Sequence, residues 1–81
     1  MDIPEQEQII KSFGENLKRI RLEKKLSLRQ LAHLADMSHN GIHEIEKGIA
    51  NPSLTTIMTL ARALEVEPAV LISFSRLGPK Q

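Results

Sequence analysis

SLRQLAHLADMSHNGIHEIEKG, residues 27–48, is the stretch whose reading decides the fold. It divides into two short helices joined by a three-residue corner. Ser27 is placed to cap the first helix, and Gln30, three positions on, completes a capping box. Leu31, Leu34 and Ala35 give that helix an apolar face at i, i+3, i+4 spacing. Asp36, Met37 and Ser38 interrupt the pattern. Asp tolerates the left-handed backbone that a tight helical corner often needs, and Ser38 is a good cap for the next helix. From His39 onward only Ile42 and Ile45 are large and apolar, and Gly48 is well placed as the stop.

The second helix therefore has a narrow buried stripe and an outer face of small or hydrogen-bonding residues: His39, Asn40, Gly41, His43, Glu44 and Lys47. Such a face can enter a DNA major groove, where base edges offer donors, acceptors and the thymine methyl. It also describes a helical hairpin with an ordinary polar surface. The arrangement favours the first reading. Ala32 is small enough for two helices to cross steeply, Met37 plugs the corner, and Ile42 and Ile45 point inward, as in a helix-turn-helix.

The chain has 81 residues, enough for one domain with one modest core. With 41% apolar residues, two Phe and no Tyr or Trp, that core is aliphatic. The absence of cysteine excludes a disulfide framework and a zinc ribbon. No run is long enough for a membrane span, and the acidic start does not read as a signal peptide, so an intracellular protein is expected. Net charge is only +1, but it is unevenly spread. Residues 1–10 carry Asp2, Glu5 and Glu7 and no base, so all eleven Lys and Arg face seven acids in the rest. A mildly basic domain with an acidic tip suits a nucleic-acid binder, and also many ordinary domains.

Taken in order, residues 1–10 read as a flexible acidic tail, 11–76 as the domain and 77–81 as a second tail. Ser12 and Glu15 form another S-x-x-E box, expected to start the first helix. Its stripe is Phe13, Leu17 and Ile20, with Ile9 and Ile10 as an upstream extension. Lys11, Lys18, Arg19, Lys24 and Lys25 fall on other faces or in the following turn, where they serve solubility or, for a subset, phosphate contact. Pro52 keeps residues 49–52 out of helix, and Ser53 caps a fourth helix with stripe Leu54, Ile57, Leu60, Ala61 and Leu64. Pro68 opens a short fifth helix, expected over residues 69–75.

Residues 13–72 resemble the phage-repressor-like (Xre-type, Cro/repressor) helix-turn-helix family. The resemblance rests on FG at 13–14, LKRIR at 17–21, LSLRQLA at 26–32, IHEIEKG at 42–48, NPSL at 51–54 and LARALEV at 60–66. It implies an all-α, compact, five-helix, lambda-repressor-like DNA-binding domain whose helices 2 and 3 form the helix-turn-helix. It also implies a cytoplasmic, bacterial or phage-encoded transcriptional regulator that binds double-stranded DNA. Matched to the family pattern, His39, Asn40 and Glu44 face base edges, with His43 secondary. Asn can pair with adenine and Glu can accept from the cytosine amino group. Backbone contacts fall to Ser27, Arg29, Lys47 and Asn51. Arg21, beside the apolar stripe, is implied to turn inward and pair with Glu46. Asp36 stands where the family often has Gly, and Leu28 where many members have Gln.

Other chemistry fares poorly. His39 and His43 have a metal-ligand spacing, but position 47 is Lys rather than the second His of H-E-x-x-H, and no cysteine assists, so no metal or other cofactor is expected. No nucleophile elbow or Gly-rich phosphate loop occurs, so no enzyme is expected. The live second class is a protein-interaction module of helix-turn-helix type, a coactivator or antitoxin with little DNA readout. A homodimer is expected from the last helix. Val70, Leu71, Ile72 and Phe74 crowd five positions, and one helical face cannot bury them all. Leu71 and a neighbour cap the core, while Val70 or Ile72 with Phe74 forms an exposed contact patch. The alternative is that Phe74 folds back over its own core.

Overall fold

Ser27, Ser38 and Ser53 each start a helix. In all three the seryl Oγ accepts a hydrogen bond from the backbone N–H three residues on. This satisfies one of the four N–H groups that a helix start leaves without a partner. The computed structural model describes residues 3–74. Among the described residues there are five helices and no strands: α1 (Ile3–Glu23), α2 (Leu28–Ala35), α3 (His39–Glu46), α4 (Leu54–Leu64) and α5 (Pro68–Leu71). α1 packs chiefly on α3, and α4 lies between α2 and α5. The result is an all-α fold with principal extents of 35 × 21 × 20 Å.

The core is aliphatic apart from Phe13. Leu17, Leu31, Ile42, Leu60, Leu64 and Leu71 are its fully buried large side chains, and Phe13, Ile20, Ala32, Ala35, Ile45 and Ala61 complete it. Met37 sits half-buried against this cluster, as a corner plug should.

Four expectations are corrected. The first helix does not start at Ser12: residues 3–10, read as tail, are its opening turns. Pro4 falls in the first turn, where its missing N–H costs no bond, and Glu5 complements the helix dipole there. Ser12 is instead buried mid-helix, and its Oγ has no hydrogen-bond partner among the described residues. Second, Leu34 is 55% exposed. The inward face of α2 is Leu28, Leu31, Ala32 and Ala35, spaced i, i+3, i+4, i+7, and Leu34 lies on its flank. Third, Leu54 is 74% exposed, so the α4 stripe begins at Ile57. Fourth, α5 ends at Leu71 rather than near residue 75. Ser75, Arg76 and the expected tail 77–81 lie outside the described residues.

Candidate nucleic-acid interface

The corner between α2 and α3 is set by backbone geometry. Asp36 adopts φ 54°, ψ 46°, the left-handed conformation. This turns the chain so that the Met37 N–H donates to the Ala32 carbonyl at 2.9 Å. Ser27 and Gln30 hold the other end of α2: Gln30 N–H donates to Ser27 Oγ at 3.0 Å, and Ser27 N–H to Gln30 Oε1 at 2.8 Å. Ser38 Oγ then accepts from Gly41 N–H at 2.9 Å and fixes the start of α3.

With α3 so placed, Ile42, Ile45 and Glu46 turn inward and are buried. His39, Asn40, His43 and Glu44 are all exposed. Their i, i+1, i+4, i+5 spacing puts them on one face, opposite the buried stripe. The four residues expected to read bases thus form one continuous polar strip. Among the described residues no group of three or more His, Asp or Glu is positioned to hold a metal ion.

Ser27, Arg29, Lys47 and Asn51 are exposed as well. Ser27 and Arg29 flank the N-terminus of α2. Lys47 and Asn51 flank the exit of α3, where Gly48 turns the chain at φ 77°. Phosphate-sized anions are favoured beside a helix N-terminus by its free N–H groups and dipole. Ser27 Oγ already accepts the capping bond, so toward a phosphate it has its hydroxyl proton to donate.

Beneath the strip, Arg21 Nε donates to Glu46 Oε2 at 2.7 Å and Arg21 Nη2 to Glu46 Oε1 at 3.1 Å, a two-point pair with both residues buried. Arg21 Nη1 also donates to the Leu26 carbonyl at 2.8 Å. One guanidinium therefore ties α1 to the last turn of α3 and to the turn leading into α2. Two supports were not read from the sequence. Gly14 lets α1 approach the α3 backbone: a Cβ there would lie 2.8 Å from the Glu46 carbonyl oxygen. Asn16 is buried and donates through Nδ2 to the Val70 and Leu71 carbonyls at 3.0 and 2.8 Å, closing the end of α5. A polar Asn amid the stripe of Phe13, Leu17 and Ile20 was the available signal.

The C-terminal patch is divided by the fold. Val70 is 40% and Ile72 46% exposed. Phe74 is half-buried and packs on the chain's own core, lining a groove with Ile9, Ile10, Phe13 and Ile57.

Comparison with known proteins gives a consistent set. The helix-turn-helix family model HTH_3 matches residues 17–71. The chain is 37% identical over 67 residues to control protein C.BamHI of Bacillus amyloliquefaciens, spanning 82% of this chain and 83% of that protein. It is 37% identical over 61 residues to the immunity repressor protein of Bacillus phage phi105, spanning 75% of this chain and 42% of the repressor. The crystal structure of restriction-modification controller protein C.AhdI from Aeromonas hydrophila aligns with a TM-score of 0.75 at 37% identity, covering 76% of this chain and 94% of that one.

Proposed function

The chain belongs to the helix-turn-helix family, and on that premise we propose that it regulates transcription by setting α3 in the major groove of an operator. It is a sequence-specific DNA-binding regulator, and its relatives include a control protein and an immunity repressor. The observation that carries the finer reading is the polar strip of His39, Asn40, His43 and Glu44, held outward by the Arg21–Glu46 pair. In this reading Asn40 and Glu44 read base edges with His39, His43 is secondary, and Ser27, Arg29, Lys47 and Asn51 hold the backbone. The site acts in the cytoplasm, as a homodimer on a palindromic operator, and without catalysis.

Selection from a random duplex pool tests this directly. A motif should be enriched, and its affinity should fall with salt. With about four to five phosphates neutralised per subunit, log K against log salt should have a slope of order −4 per subunit. Glu44→Ala should relax preference at one position of the motif, whereas Lys47→Ala should weaken all sequences alike. A pool that yields no motif would favour the protein-interaction module. The reverse pattern in the two variants would mean that α3 docks in another orientation.

A further inference from the structure

α1 carries a base to the exit of α3. A Cβ built on Gly48 would lie 3.1 Å from Lys11 Cα, 3.3 Å from its Cβ and 3.4 Å from its Cγ. The first part of the Lys11 side chain therefore runs over the Gly48 backbone. Gly48 directly follows Lys47, and Asn51 is three residues beyond it. On the same side, Gln6, Ile9 and Ile10 line a groove with Asn51, so the opening turns of α1 lie along the loop that leaves α3. Lys11 is exposed and forms no ion pair among the described residues. Glu7 and Glu15 sit four positions to either side of it on the helix. Pairs between such exposed groups are weak, so they leave the ammonium available to a stronger anion.

We propose that Lys11 is a further DNA-backbone contact, which joins Lys47 and Asn51 in one phosphate-holding edge at the exit of α3. The proposal rests on the DNA-binding reading above. It gives the early turns of α1 a part in binding: they place a lysine beside the loop, with its stem steadied on the one residue there that lacks a side chain. Because the contact is to phosphate, it carries no sequence preference and contributes through counterion release.

The test is a salt titration of binding by the full chain to two probes, the motif selected above and a duplex of arbitrary sequence. Lys11→Met keeps the stem and removes the charge, Lys11→Arg keeps the charge, and Arg62→Gln removes an exposed base from α4 well past its N-terminus. Lys11→Met should weaken both probes by the same factor and flatten the slope by about one per subunit. Lys11→Arg and Arg62→Gln should retain the wild-type slope. A wild-type slope and affinity for Lys11→Met would overturn the assignment. So would equal weakening of the Met and Arg variants at an unchanged slope, which would reveal a packing role on Gly48. Absence of salt-dependent binding by the wild type on either probe would instead bring down the DNA-binding reading itself.

Discussion

Gly14 lies against the α3 backbone and Arg21 pairs with Glu46 of α3, so α1 supports the polar strip from its buried side. A methyl group on Gly14 would overlap the Ile45 carbonyl oxygen as well as crowd that of Glu46. Both obstacles are helix backbone, so no side chain can swing aside. Gly14→Ala should therefore cost on the order of 3 kcal/mol, at the upper end for forced overpacking. A thermal melt checks this, and a wild-type midpoint would mean that the helices part without penalty. Glu46→Ala should cost a similar amount, on the order of 3 kcal/mol, because it strands the Arg21 guanidinium in a buried place. Ser12 is the contrasting case. Its buried Oγ has no partner among the described residues, so Ser12→Ala removes a desolvated hydroxyl and should leave stability unchanged or raise it by up to about 1 kcal/mol. A loss in that melt would restore a structural role to the hydroxyl.

The first four helices leave by the same route. The chain turns left-handed at Lys25, Asp36, Gly48 and Glu65, with φ of 62°, 54°, 77° and 59°. The residue after each then donates its N–H to a carbonyl five positions back: Leu26 to Arg21, Met37 to Ala32, Ile49 to Glu44 and Val66 to Ala61. Gly is the usual occupant of such a position, since a Cβ makes the conformation costly. Glu65→Gly should thus stabilise the fold by up to about 1 kcal/mol, the relief of strain being partly offset by the entropy of glycine in the unfolded chain. Destabilisation measured by denaturant titration would contradict this account of the α4 exit. The same exits explain what the sequence discloses. Gly48 and Asp36 announce their turns by residue type, whereas Lys25 and Glu65 adopt the conformation because the flanking helices demand it. Helix starts were legible wherever a serine cap stood free of a preceding helix, at 27, 38 and 53. They failed at Ser12, where a genuine S-x-x-E spelling lies inside a longer helix that is already under way at Ile3. The polar strip of α3 was legible because burial of Ile42 and Ile45 leaves only one outward face. Among the supports of α1, the Arg21–Glu46 pair was implied by the family resemblance, whereas the close approach at Gly14, the Asn16 bonds to α5 and the stacking of Lys11 on Gly48 were not legible, since they join residues distant in sequence.

The apolar surface left around α5 bears on assembly. Phe74, expected to point outward, packs on its own core, and Leu71 is fully buried. The large apolar side chains that α5 and the residue after it leave exposed are Val70 and Ile72. Ile72 also borders the groove that Ile9 and Ile10 line, so the early turns of α1 widen the patch beyond α5. A two-fold axis through it would bury the same residues on both subunits and could set two copies of α3 one DNA turn apart, ~34 Å, on a palindromic site. Ile72→Asp should then yield a folded monomer with an unchanged melting midpoint, apart from any stabilisation lost with the dimer. It should bind the palindromic operator more weakly while keeping its affinity for a single half-site. Phe74→Asp should behave differently and lower the midpoint of the monomer itself, because its ring belongs to the core of its own chain. Sedimentation at micromolar concentration, with and without operator, separates these outcomes. A wild type that remains monomeric both free and on a palindrome would rule out the pairing, and Val70 and Ile72 would then be ordinary exposed residues of a small domain.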